Sequence, residues 1–343
     1  KKARLSNASS QESVVNPVIN SKSNQFPDIY FVILDEAAGF EVLRDYFHYN
    51  KIDEFVDFLR ERSFYIAENS HVPNLSTLFS MSERLNYKEY PTNEEDIVYF
   101  EAISQNKVMQ YLNQKGYTTV VFSELNRPYA YSAMPAIQSD FEFYPNPDEL
   151  SVKKGLIFGE FGQMLLKKTM LAPFADQIVI NNPLYKNHQE MINFTEDKIS
   201  NLKEIPSPIF VFVHLLLPHA PFMFDETGNL NALKDFKNYS YYLGQYIYSM
   251  DVAKTMITGI LDNYNSQASP IIVLQSDHGA RNSINGVPAE YLLKDYPKKN
   301  KYHIINAIRL PDCKDAPLTQ DMNPINTFPI IFNCVFNADI PLH

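Results

Sequence analysis

Pro270-Ile-Ile-Val-Leu-Gln-Ser-Asp277-His278-Gly279 decides how this chain is read. It opens as an Ile- and Val-rich run of the kind that forms a buried strand. It then stops on an acid, an imidazole and a glycine. Ligands in open α/β sheets gather where strands end at their carboxyl edge. Asp277 and His278 are therefore adjacent, chemically different candidate metal ligands at such an edge. Gly279 lets the chain turn there without side-chain bulk. A bare Asp-His-Gly is also an ordinary loop, so the reading requires other strands that end in the same way.

Two further strands do so. Phe26-Pro-Asp-Ile-Tyr-Phe-Val-Ile-Leu34 reads as the first strand and ends on Asp35, either a turn residue or a third ligand. Pro208-Ile-Phe-Val-Phe-Val-His214-Leu-Leu-Leu217 reads as a buried strand. It runs into Pro218-His219-Ala220-Pro221, where the two prolines fix φ and expose His219 at the strand end. His214 lies inside the apolar run and reads as a satisfied core histidine. Between these strands, Asn69-Ser-His-Val-Pro-Asn74-Leu-Ser76-Thr77 suits a helix entrance capped by Asn74 or Ser76. Leu78, Met81 and Leu85 continue it as an apolar helical face. Thr77 then falls in the first turn, where free amides and the helix dipole favour negative charge. A hydroxyl there is either an ordinary first-turn residue or a nucleophile that ionises beside a cation.

The remaining chain fills in the architecture. Residues 40–48 and 52–61 read as helices and Phe64–Ala67 as a short strand. A helix over 103–115 ends at Gly116 and delivers the chain to a strand at Thr118–Phe122, the αβ step of a parallel sheet. Long helices are expected over 151–170, 183–203 and 240–266, a strand over 302–308 and a closing helix over 327–337. The fold class is α/β, a mostly parallel central sheet with helices on both faces and the site at its carboxyl edge. One domain spans residues 27–343. Residues 1–26, rich in Ser, Asn and Lys without periodicity, read as a linker. A chain that opens on a linker fits a piece of a longer protein, with the membrane reached through a segment absent from this chain.

Composition bounds the partners. A net charge of −10 argues against nucleic acid, and mildly against direct adhesion to anionic lipid. The longest uncharged run, 205–224, carries four prolines and two histidines and makes a poor membrane span. The two cysteines, Cys313 and Cys334, can pair with each other but form no zinc knuckle.

Four stretches in order resemble the alkaline phosphatase and sulfatase superfamily. They are Ile33-Leu-Asp35, Thr77-Leu-Phe-Ser-Met-Ser-Glu-Arg-Leu85-Asn86, Phe210–Phe224 with His219 at its centre, and Gln275-Ser-Asp277-His278-Gly279. The resemblance is to the bacterial membrane-anchored, sulfatase-like branch near lipoteichoic acid synthases and phosphoethanolamine transferases. It implies that Asp35, Thr77, Asp277 and His278 hold one divalent metal ion (Mn, Mg or Zn) and that Thr77 is also the nucleophile. It places His219 against the substrate phosphate or leaving group. Arg281 is either a phosphate clamp or a solvated loop arginine. The implied activity is phosphoryl-type transfer or hydrolysis on a phosphorylated or sulfated lipid or glycan outside the cytoplasm, at the cell surface or in the periplasm. The alternatives are a sulfatase, a phosphodiesterase or an inactive surface scaffold.

Two departures qualify the resemblance. Glu36 stands where many relatives carry Gly, and its carboxylate is expected to turn away from the metal towards backbone amides or a basic side chain. A second metal would need a further ligand set, and His303, Asp225 and His214 are candidates that do not assemble into one, so one metal is expected. Neither cysteine has the Cys/Ser-x-Pro-x-Arg context of formylglycine sulfatases, which disfavours sulfate-ester hydrolysis.

Overall fold

In the computed structural model, the described residues are 3–4, 26–122, 137–143, 183–202, 204–231, 238–264, 269–281 and 295–343. Their strands are β1 (Ala3–Arg4), β2 (Ile29–Leu34), β3 (Phe64–Ile66), β4 (Thr118–Phe122), β5 (Phe141–Phe143), β6 (Ile209–Leu215), β7 (Ile271–Ser276) and β8 (Asn306–Arg309). They form one sheet in the order β1-β5-β4-β6-β2-β7-β8-β3. Neighbours from β1 to β7 pair in parallel, and β8 pairs antiparallel with both β7 and β3, so β8 alone is reversed. The expected mostly parallel α/β sheet is present.

The helices are α1 (Phe40–Asp45), α2 (Ile52–Glu61), α3 (Thr77–Asn86), α4 (Asp96–Ser104), α5 (Lys107–Gln114), α6 (Pro183–Ile199), α7 (Tyr242–Leu261) and α8 (Thr327–Phe336). The helix expected over 103–115 is instead two. Asn106 breaks the run and caps α5 by accepting a 2.9 Å bond from the Met109 amide. The strand expected from Tyr302 starts only at Asn306, after a 3-10 turn over Asn300–Tyr302. The short strand β5 escaped sequence reading, and β1 lies inside the stretch read as linker. The helix expected over 151–170 lies outside the described residues.

Strand alternation builds two cores. Tyr30, Val32 and Leu34 of β2 point to one face, together with Val211, Val213, Leu215, Ile272 and Leu274, against α1, α2, α6 and α7. Ile29, Phe31 and Ile33 point to the other, together with Phe210, Phe212, Ile271 and Val273, against α3, α5 and α8. In the register of β2 with its neighbours, Ile33 lies level with His214 on β6 and Gln275 on β7. Continuing the alternation by two residues carries Asp35 and Asp277 onto the face that holds α3. Glu36, the next residue, belongs to the opposite face. This period of two decides which side chains can meet at the carboxyl edge.

Candidate active site

Asp35 follows β2 directly and Asp277 follows β7 directly, and both are buried. Thr77 opens α3 behind Ser76, whose side chain caps the helix by accepting from the Phe79 amide at 3.4 Å. Thr77 Oγ1 donates to Asp277 Oδ2 at 2.6 Å. The other oxygen, Asp277 Oδ1, accepts from the amides of Glu36 (2.9 Å) and His278 (2.8 Å). His278 Nε2 lies 3.4 Å from Asp277 Oδ2 and 3.9 Å from Asp35 Oδ1. The structure thus brings Asp35, Thr77, Asp277 and His278 to one point.

The donor set fits a divalent cation. One ligand atom from each of Asp35, Asp277 and His278 falls within a 4.8 Å group, and all three residues are buried. Asp35 Oδ1 is buried without a hydrogen-bond partner, an orphan that a cation would satisfy. His278 Nδ1 lies 2.9 Å from the Gly279 carbonyl. A proton on Nδ1 donates there and leaves Nε2 unprotonated beside both carboxylates and the Arg281 guanidinium, the tautomer a metal ligand needs. Burial and the Asp277 charge push the Asp35 carboxyl well above the usual carboxylate range. Burial also pushes Asp277 up, but the His278 and His214 imidazoles and the Thr77 hydroxyl outweigh it and hold Asp277 below that range. Two buried carboxylates that cannot both ionise without added positive charge are the electrostatic counterpart of a cation site.

Glu36 sits in an unusual backbone conformation. Its φ is +64°, a left-handed backbone that costs a side-chain-bearing residue roughly 1–2 kcal/mol. Several bonds offset that cost. Its amide donates to Asp277 and its carbonyl accepts from Tyr242 OH at 2.7 Å. Its Oε1 accepts from Tyr239 OH at 2.5 Å and from the Arg281 amide at 3.0 Å. The carboxylate therefore lies on the tyrosine side of the sheet, away from Asp35. Burial pushes Glu36 up, but Arg281, His219 and His278 overcome this and hold it ionised.

Arg281 is no solvated loop arginine. Its guanidinium lies 3.0 Å from His219 Nε2, 2.8 Å from His278 Nε2 and 3.5 Å from Glu36 Oε2, and it donates to the Leu75 carbonyl at 3.3 Å. His219 lies 2.5 Å from the Ala220 carbonyl through Nδ1 and 3.7 Å from Glu36 Oε2 through Nε2. It stands beside Arg281 and outside the Asp35–Asp277–His278 group. Burial lowers the pKa of His219 and His278 alike.

One residue of the site was misread in the sequence and two were missed. His214 is not a satisfied core histidine. Its Nε2 has no hydrogen-bond partner and faces Asp35 Oδ2 at 3.5 Å, and burial drops its pKa to about 4. Its position in β6, level with Ile33 and two residues short of Asp35, carried the signal. Arg84 is fully buried, and it donates to the Ser276 carbonyl at 2.7 Å and the Asp277 carbonyl at 3.0 Å. It sits seven residues after Thr77, two turns along the same face of α3. Tyr239 could not be found from sequence because its partner, Glu36, is 203 residues away. Asp225 instead organises its own exposed turn through Thr227 and Asn229, and His303 pairs with Glu41.

No family model matches the chain, and no curated protein does. Solved structures do. The C-terminal periplasmic domain of EptC from Escherichia coli, in complex with Zn, is 14% identical with a TM-score of 0.57, covering 91% of this chain and 83% of that one. A protein in the alkaline phosphatase superfamily from Vibrio parahaemolyticus is 14% identical (TM-score 0.52; 91% and 67% covered). The lipoteichoic acid synthase LtaP from Listeria monocytogenes is 12% identical (TM-score 0.53; 91% and 72% covered). The chain has the fold of the alkaline phosphatase superfamily.

Proposed function

We propose that the chain is a metal-dependent phosphoryl-type transferase or hydrolase in which Thr77 is the nucleophile. The observation that carries the reading is the 2.6 Å bond from Thr77 Oγ1 to an Asp277 carboxylate that itself belongs to the candidate cation site. Asp35, Thr77, Asp277 and His278 would hold the cation. Bound there, a divalent ion supplies Lewis acidity and lowers the pKa of the Thr77 hydroxyl.

The protein's own groups do the rest. Asp277 orients the Thr77 hydroxyl but is held too acidic to be an effective base. Ionisation of Thr77 therefore relies on positive charge, to which the α3 N-terminus contributes. Arg281 presents guanidinium donors between His219 and His278, where an entering phosphoryl group would take them. In transfer, the Oγ1–P bond forms as the ester P–O bond breaks. The Thr77 proton passes to solvent, the leaving oxygen takes one from His219 in its protonated form, and water or a second acceptor hydroxyl then attacks phosphorus and releases Thr77 from its phosphoester.

The setting supports one substrate class. Structures of the same fold include a periplasmic domain and a lipoteichoic acid synthase. A Cys313–Cys334 disulfide suits an oxidising compartment. No helix among the described residues is long and apolar enough to cross a membrane. The fold neighbours and the disulfide support a phospho-substituted lipid or glycan outside the cytoplasm. A second reading, a surface binding domain without activity, has the contact of Glu36 with Arg281 in its favour. Incubation with Mn²⁺ or Zn²⁺ and 4-nitrophenyl phosphate, followed by acid quench and peptide mass spectrometry, separates the two. Phosphate on Thr77 is the expected result. Nitrophenol release without it removes the nucleophile, and no turnover with either metal favours the binding domain.

A further inference from the structure

A cleft of about 860 Å³ lies beside this centre, within the roughly 300–1,000 Å³ range of small-molecule sites. It shares a wall with the centre. Residues 301–303 turn their backbone to the catalytic loops, where the Lys301 carbonyl accepts from the Gly279 amide at 3.1 Å and the His303 carbonyl from the Gly39 amide at 3.1 Å. The side chains of Tyr302 and His303 line the cleft. On the other wall are Phe79 and Glu83 of α3, and Glu83 lies six residues, or roughly 9 Å along the axis, from Thr77.

Two imidazoles are prepared for a ligand. His303 Nδ1 lies 2.5 Å from Glu41 Oε1 as a close ion pair, and this nitrogen and both Glu41 oxygens are buried without a hydrogen-bond partner. Gly39 makes room for this carboxylate to fold back, since a Cβ there would lie 2.8 Å from Glu41 Oε2. His71, whose backbone bridges to that of His303, engages the Asn69 carbonyl through its own Nδ1 at 3.3 Å. In both rings Nδ1 is engaged by the protein, and neither Nε2 is used by these contacts.

The remaining described lining sets the ligand's charge. Glu83, Glu89 and Asp321 face a single Lys299, an excess of two negative charges when both imidazoles are neutral. Glu83 Oε1 accepts from the Tyr90 amide and Asn323 Oδ1 from the Ile325 amide, which leaves Asp321, Glu89, the second Glu83 oxygen and the Asn323 amide nitrogen to bracket paired hydroxyls, while Tyr90 and Tyr302 supply aromatic surface. Polyanions such as sulfated chains are repelled.

We propose that this cleft is a sugar-binding subsite that holds a neutral or amino-sugar stretch of the substrate handled at Thr77. The inference rests on the proposed phosphoryl chemistry for its purpose, but its binding test stands apart. Titration calorimetry is run with N,N′,N″-triacetylchitotriose, maltotriose and a heparin-derived tetrasaccharide on the intact chain. At least one neutral trisaccharide should bind in the sub-millimolar range. Its affinity should fall about tenfold or more in Tyr302→Ala and His303→Ala and stay unchanged in Thr77→Val. The heparin fragment should not displace it. If His303→Ala does not fold, Glu83→Gln and Asp321→Asn give the same reading. The subsite is overturned if neither neutral sugar binds, if binding survives these substitutions, or if the heparin fragment competes. Loss of the phosphothreonine signal with sugar binding intact overturns the chemistry and leaves the subsite standing.

Discussion

Thr77 Oγ1 donates a 2.6 Å hydrogen bond to Oδ2 of Asp277, 200 residues further along the chain. The bond joins the first turn of α3 to the carboxyl end of β7. It exists because Asp277 falls on the α3 face of the sheet. Thr77→Val keeps the shape and removes the hydroxyl. Turnover of 4-nitrophenyl phosphate should fall roughly 10³-fold or more, while Thr77→Ser retains a measurable fraction. Equal loss in both variants would mean that the hydroxyl alone does not carry the reaction, and would leave Thr77 without a nucleophile's signature.

His278 and His219 differ in what they face. His278 belongs to the buried Asp35–Asp277 group, and His219 faces Arg281 and Glu36. His278→Ala should abolish metal retention through gel filtration, measured by elemental analysis. His219→Ala should keep the metal and lower turnover by roughly 10²–10⁴-fold. Metal loss in the His219 variant would make it a ligand.

Glu36→Gly removes the carboxylate from Arg281 and His219 while relieving a left-handed backbone. Thermal stability should change little, because the relieved strain offsets lost side-chain bonds. Turnover should fall as Arg281 loses its anchor, with kcat affected more than KM. A variant that melts much earlier but retains kcat would assign Glu36 a structural role only.

Arg84 spans two carbonyls of the loop that presents Asp277. Burial lowers its pKa to about 10, so it remains a cation at neutral pH. Arg84→Met leaves both carbonyls without a donor, each worth about 1–3 kcal/mol when buried. Urea unfolding should show that loss, and metal affinity should weaken with it. An unchanged metal affinity would confine Arg84 to packing.

His188 packs edge-on against Phe224, and burial lowers its pKa to about 4, with the nearby His219 adding to the effect. A base depressed in the folded state contributes stability that is present above its unfolded pKa of about 6.5. That stability is lost as pH falls from there towards 4. Between pH 7 and pH 5 this group alone should cost about 2 kcal/mol. His188→Gln should flatten the fall in urea-derived stability over that interval. An identical slope in wild type and variant would place the titration elsewhere, with His214 the next candidate.

Local chemistry in the sequence determined the parts of this protein that depend on neighbours along the chain. Apolar runs ending on Asp35 and Asp277, the Ser76 cap before Thr77 and the Pro-flanked His219 are all readable because strand burial, helix capping and proline geometry act over a few residues. The parallel sheet follows from the same pattern, apart from the break at Asn106 and the short strands β1 and β5. Only the tertiary structure decided which carboxylate faces which side. The two-residue period of β2 and β7 sends Asp35 and Asp277 to α3 and Glu36 to Tyr239 and Arg281. The pairing register of β6 with β2 turned His214 from a core residue into a neighbour of Asp35. The same holds for Arg84 and for the Glu41–His303 pair, since contacts across such sequence distances are set by strand order and packing, which no local pattern encodes.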